Sequence, residues 1–249
     1  AFVSNITMIQ SLNIHEEATF NSPSWSISVE FYTYLFFGLS LNIFRSRVQL
    51  YMWFVGFVIA GSLLFLVYAV GHLSVSIDFG YIRCLLGFYS GILIYKIYTW
   101  LNRFGYIQNL SKIWWSILET IVVSYLVFIL IVKPSIGTLD FLVFLISFVL
   151  ILILLFSEGV ISQLLTNSYI IYLGKISFSL YMCHFLFSSI IKNLLKLIYT
   201  SSFILDSWGG YIEVPVIPAN IAFLLYVSLS LGSAILLNKK VENRFRLRK

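Results

Sequence analysis

Three groups of polar side chains interrupt the apolar runs of this sequence, and their types and spacing could do chemistry. Ser26, Glu30 and Tyr34 stand at i, i+4 and i+8, so on a helix they share one face. A carboxylate there can orient a base, take up a proton or pair with a cation. It can equally be half of a structural ion pair. Arg83 is followed at i+4 and i+8 by Gly87 and Gly91. Its guanidinium can hold a phosphate or carboxylate bidentately, and the bare glycine face lets another backbone approach closely. Helix packing and snorkelling to an interface explain the same residues without a ligand. Ser177, Tyr181 and His184 fall at i, i+4 and i+7, again on one face. The imidazole can carry a proton or be a hydrogen-bonded part of its helix. Glu119 has no motif around it and reads as structural. His15 and His72 lie in connecting segments without comparable neighbours.

The elements that must position these groups are membrane helices. Of the 249 residues 60% are hydrophobic and only 10% are charged, against about 25% charged in soluble domains. The apolar residues come in seven long runs, near 25–44, 49–70, 79–100, 113–132, 139–156, 169–191 and 217–238. A bilayer span takes about 20 apolar residues in helical form, because backbone groups in lipid must be satisfied within the segment. The expected fold class is therefore an all-α polytopic transmembrane helix bundle of about seven spans, forming one integral membrane domain over residues 1–249.

With the C-terminus in the cytoplasm, eleven of the 16 Lys and Arg residues fall on the inner side and three outside. Positive charge concentrates inside, so this orientation is expected, with residues 1–24 outside or re-entering from there. The net charge of +6 then serves a lipid surface and not a nucleic acid. Apolar stretches within 192–216 suggest partial re-entry of that outer loop. Cys84 and Cys183 lie inside apolar runs, without metal-ligand spacing. There is no phosphate-cradling glycine loop, no His-Glu-x-x-His and no Gly-x-Ser-x-Gly. No metal site, redox cofactor or nucleic-acid partner is expected.

Ser24-Trp25-Ser26-Ile27-Ser28-Val29-Glu30, followed by Phe31-Tyr32, resembles the Ser-Trp-Ser-Leu-Ser-Val-Glu block of the membrane acyltransferase-3 family. Arg83 with Gly87 and Gly91 is similar to that family's Arg/Gly helix. The run from Leu173-Gly174-Lys175-Ile176-Ser177 to Tyr181-Met182-Cys183-His184 resembles its late helix. Val241-Glu242 resembles its closing Val/Ile-Glu-x-Pro, with Asn243-Arg244 lacking the proline. The resemblance implies O-acyl transfer, usually of acetyl from cytoplasmic acetyl-CoA. The acceptor it implies is a hydroxyl of a cell-surface or cell-wall glycan, such as lipopolysaccharide O-antigen or exopolysaccharide, at the bacterial inner membrane. No bound cofactor is implied. The partners are acyl-CoA, the glycan and the lipid bilayer. Glu30, Ser26 and His184 carry over as catalytic, and Trp25, Arg83, Ser177 and Tyr181 as substrate-binding.

The family's upstream helices, one bearing an Arg and a His as general base, have no match here. The resemblance therefore implies the C-terminal portion of a longer enzyme. Two other readings stay open. Intramembrane charge suits a transporter of a lipid-linked or small glycan equally well, although the internal repeats and broken helices of many transporters are not evident. An inactive remnant of an acyltransferase is the third.

Overall fold

The computed structural model describes residues 1–15, 17, 20–104, 111–132, 137, 139–199, 203–204, 211–212 and 215–245, with backbone only at 203–204, 211–212 and 245. Long helices follow the apolar runs. After the short α1 (Phe2–Ile6) and a 3₁₀ turn (Ser22–Ser24) come α2 (Trp25–Ile43), α3 (Val48–Phe65), α4 (Gly80–Phe104), α5 (Lys112–Val132) and α6 (Leu139–Phe156). The six-residue α7 (Val160–Leu165) leads into α8 (Ser168–Ile198). A two-residue antiparallel pair, β1 (Phe203–Ile204) with β2 (Tyr211–Ile212), precedes α9 (Val216–Leu237) and α10 (Asn243–Phe245). Single π turns extend α3 over Leu66–Val70 and α9 over Asn238–Glu242. Gly71, at φ +81°, ends the first of these in the left-handed region open to glycine.

Six of the seven expected spans are long and apolar enough to cross a bilayer: Val48–Val70, Gly80–Phe104, Lys112–Val132, Leu139–Phe156, Ser168–Ile198 and Val216–Glu242. The seventh, α2, forms a helix of 19 residues but falls short in apolarity, because Ser26, Ser28, Glu30 and Thr33 occupy its first half. The polar residues that suggest chemistry are thus also those that weaken its membrane character. The expected end of the late helix at residue 191 is corrected to Ile198. At 1.5 Å per residue its 31 residues run about 46 Å, beyond a hydrocarbon core of about 30 Å. Residues 200–202, 205–210 and 213–214 of the outer loop expected to re-enter, and the basic residues at 133, 246, 248 and 249, lie outside the described residues.

The chain forms two compact units, Ala1–Phe20 with Trp25–Asn167, and Asn21–Ser24 with Ser168–Lys249. In the first, α2, α3 and α4 pack around Tyr51, Val55, Val58 and Tyr89, with Phe36, Phe37, Phe54 and Phe88 against them. The Ser40 and Tyr89 hydroxyls share a hydrogen bond of 3.2 Å inside this cluster. Lipid tails are as apolar as leucine, so such close packing and interhelical hydrogen bonds, and not water exclusion, hold membrane helices together. Leu66, Val75 and Leu86 form a second cluster that gathers Phe141 and Phe144 of α6. In the second unit α8 lies against α9. Asn238, buried at the end of α9, donates to the Lys175 carbonyl at 3.2 Å and to the Glu242 carboxylate, and accepts from Asn243.

Candidate active site

The seven expected side chains divide between the units: Trp25, Ser26, Glu30 and Arg83 belong to the first, Ser177, Tyr181 and His184 to the second.

In the first unit, Trp25 opens α2 and its indole lies against the start of α4. A Cβ added at Gly80 would stand 3.0 Å from the ring, so the missing side chain is what lets the indole sit there. One turn further along α4, the Arg83 guanidinium lies over the same ring, 4.9 Å from its centroid. That distance is within cation–π range. Nη1 of Arg83 also donates to the Leu73 carbonyl at 3.1 Å, and the Leu73 N–H donates to Asp140 at 3.2 Å. The guanidinium is therefore held in place by an aromatic face and a loop that is itself tied to α6. Ser26 is half-buried in the first turn of α2.

Glu30 is exposed one turn beyond Ser26 and makes no hydrogen bond or ion pair among the described residues. No ion pair joins it to Arg83. It stands close enough to Tyr34 and Cys84 for its charge to act on both. Other polar members of the same block are structural. Ser28 donates to the Met8 carbonyl, and Tyr32 to that of Thr7 at 3.0 Å, binding the N-terminal segment along α2.

The glycine face beyond Arg83 does not receive a second backbone among the described residues. A Cβ at Gly87 or Gly91 would meet nothing within 4 Å. Both glycines instead border an apolar groove of about 800 Å³ between the end of α2, the start of α3 and α4, with Arg45 and Lys96 among its lining.

In the second unit, Ser177, Tyr181 and His184 line one wall of a cleft of about 440 Å³, facing Tyr226, Val227, Ser230 and Leu231 of α9. Ser177 donates back to the Gly174 carbonyl at 2.8 Å. The Tyr181 hydroxyl donates to the Pro23 carbonyl at 3.0 Å, anchoring the 3₁₀ turn. His184 Nδ1 lies 2.6 Å from the Tyr181 carbonyl oxygen. A carbonyl can only accept, so Nδ1 carries the proton. In the neutral ring the lone pair then belongs to Nε2, the nitrogen a general base needs.

Sequence reasoning missed Gly80, Tyr226, Ser230 and Asn238. Gly80 lies three residues before Arg83, and only the structure shows what it accommodates. Tyr226 and Ser230 stand at i and i+4 in the last apolar run, the same spacing that marked the other groups, but without an ionisable residue to draw attention. Asn238 precedes Glu242 by four residues at the end of that run.

An ionisable group on a helix apolar enough to span a bilayer, such as Arg83 or His184, is a candidate for function by default. Comparison with known proteins supplies the chemistry: the profile of the acyltransferase-3 family, an acyltransferase domain, matches residues 2–239. The chain belongs to the acyltransferase-3 family. No curated protein and no solved structure matches it. The family match runs through both compact units of this acyltransferase and includes all seven side chains expected to form its site. Among the described residues no cluster of His, Cys, Asp and Glu could hold a metal ion.

Proposed function

We propose that this acyltransferase moves an acetyl group from acyl-CoA to a hydroxyl of a cell-surface or cell-wall glycan, working in the bacterial inner membrane with its C-terminus in the cytoplasm. The observation that carries the reading is the state of His184. Its proton is held on Nδ1 by the Tyr181 carbonyl, and the ring forms part of the wall of an open cleft. A hydroxyl is a poor nucleophile until its proton has somewhere to go. In the reaction the acceptor O–H gives its proton to His184 Nε2 as the oxygen attacks the thioester carbonyl. The C–S bond breaks, a C–O ester bond forms, and the proton ends on the departing thiol. Glu30 serves as a second acid/base or orienting group, with Ser26 as its hydrogen-bonding neighbour. Arg83, steadied by Trp25 and Leu73, holds an anionic group of a substrate. Ser177 and Tyr181 shape the acceptor's surroundings. The inward bias of Lys and Arg supports the orientation and suits the phosphates of a CoA donor.

The test uses membranes containing the full protein, labelled acetyl-CoA and the host's own surface glycan. Wild type should place label on the glycan as an ester, and His184→Gln should slow this about 10²–10⁴-fold at equal protein abundance. Glycan crossing the membrane without label would point to transport instead. Undiminished labelling in His184→Gln would remove the base from the scheme.

A further inference from the structure

Serine and threonine hydroxyls in a helix ordinarily return their proton to a carbonyl in the preceding turn. This chain does so repeatedly: Thr33 bonds to the Val29 carbonyl at 2.8 Å, Ser40 to Phe37 at 2.8 Å and Ser147 to Val143 at 2.8 Å. Ser230 of α9 departs from the pattern. It is 3% exposed, and its hydroxyl is buried without a hydrogen-bond partner among the described residues. A buried hydroxyl left in that state weakens a fold. The residue belongs to the wall of the cleft that also holds His184.

The register of α8 against α9 sets the two residues at one depth. Asn238 bonds to the Lys175 carbonyl, which ties those positions level. From there His184 is nine residues along α8, about 13.5 Å, and Ser230 is eight residues back along α9, about 12 Å, at 1.5 Å per residue. A histidine and a buried, unengaged hydroxyl therefore stand at one depth on opposite walls of the same cleft. The remaining lining is apolar or phenolic, apart from Ser177, whose hydroxyl is spent on the Gly174 carbonyl. Among the described residues the cleft has, apart from the imidazole, no ionisable group but the phenols of Tyr181 and Tyr226.

We propose that Ser230 is a substrate-contacting residue for the acyl acceptor, and that the acceptor group in this cleft is a neutral sugar hydroxyl. The inference rests on the acyl-transfer reading. Ser230 donates to the acceptor oxygen while that oxygen's own proton points to His184 Nε2, so the hydroxyl that accepts the acyl group is gripped at both ends. The aromatic faces of Tyr181 and Tyr226, with no carboxylate or ammonium group among the described lining residues, suit an uncharged ring. A carboxylated or phosphorylated one would find no counter-charge.

The experiment compares wild type, Ser230→Ala and Ser230→Thr as full chains in host membranes. Labelled acetyl-CoA and the extracted surface glycan are varied in turn, and melting midpoints are read in parallel. Ser230→Ala should lose about tenfold in kcat/KM for the glycan, the scale of one lost substrate hydrogen bond. Its KM for acetyl-CoA should stay unchanged and its midpoint should be equal or higher. Ser230→Thr, which keeps the hydroxyl, should recover most of the loss. A wild-type rate in Ser230→Ala would overturn the proposal, as would a lowered midpoint, which would reveal a structural partner. A loss confined to acetyl-CoA would overturn it too. Wild-type membranes that label nothing would instead remove the acyl-transfer reading itself.

Discussion

Two carboxylates in the first unit, Glu119 and Glu30, sit in helices of the bundle and have opposite fates. Glu119 of α5 is fully buried and its oxygens are engaged. It accepts from the Ser157 hydroxyl, from the Ile161 N–H at 2.8 Å and from the Ser162 N–H at 3.2 Å. Ile161 and Ser162 belong to the first turn of α7, whose own N-cap, Gly159, has no side chain to offer. The carboxylate reaches across from another helix to do what a capping residue would do, satisfying orphan N–H groups and meeting the positive end of the dipole. Glu30 has no such partners among the described residues. A carboxylate with both oxygens engaged stabilises a fold, and one that stays unengaged on a membrane-protein helix is available to a substrate. The spacing of residues in the sequence does not separate these cases.

The sharpest way to break the comparison is to neutralise Glu30. Glu30→Gln should reduce glycan labelling by about 10²–10⁴-fold, the usual loss when a positioned acid or base is removed. Thermal stability should stay within about 0.5 kcal/mol, as for other groups that carry no contacts. A variant that melts early but transfers normally would make Glu30 another Glu119.

The second largest effect is expected in the opposite channel. Glu119→Ala strands two backbone N–H groups and the Ser157 hydroxyl, each worth about 1–3 kcal/mol when buried without a partner. A total of at least about 3 kcal/mol should appear as a depressed melting midpoint and low membrane abundance. Whatever protein survives should transfer at a rate close to wild type. Normal abundance with lost transfer would reverse the roles of the two carboxylates.

How much of this was legible beforehand differs by level. The spans could be read because lipid allows a backbone only one local solution, so a run such as 139–156 is already the helix Leu139–Phe156. The polar face at 177, 181 and 184 could be read because helical period follows from geometry alone. What could not be read is partnership. Glu119 looked structural only for lack of a motif; its true role depends on Ser157, Ile161 and Ser162, some forty residues away in the chain. Ser28 sits in the same motif as Glu30 yet ties down the N-terminal segment. Gly87 and Gly91 suggested a packed interface and border an open groove instead. Long-range pairing of this kind leaves no local periodicity to detect.

Gly159 sharpens the contrast from the backbone side. Its φ of −73° suits any residue, so the glycine is required by space and not by strain: an added Cβ would fall on the Glu119 carboxylate. Gly159→Ala should therefore cost about 1–3 kcal/mol, as overpacking does, and the cost should vanish in a Glu119→Ala background. Additive losses in that double-mutant cycle would show that the two residues do not act through one contact.

The smallest effect is expected at Gly80, where the crowding is milder. Its Cβ would lie 3.0 Å and 3.3 Å from two carbons of the Trp25 indole, a gap that a few tenths of an ångström of ring movement relieves. Gly80→Ala should thus cost only about 1 kcal/mol of stability. The ring cannot shift without disturbing the guanidinium 4.9 Å above it, so the consequence should be read on Arg83. If Arg83 binds an anionic part of a substrate, Gly80→Ala should raise the KM of that substrate several-fold with kcat held, because the positioned charge is displaced but not removed. Arg83→Lys should raise the same KM further, since an ammonium offers neither the planar fork nor the stacking face. A Gly80→Ala enzyme with unaltered KM for both donor and acceptor would mean that the Trp25–Arg83 pair only secures the Leu73 loop. The substrate's negative charge would then have to be met elsewhere, with Arg45 and Lys96 at the apolar groove the next positions to test.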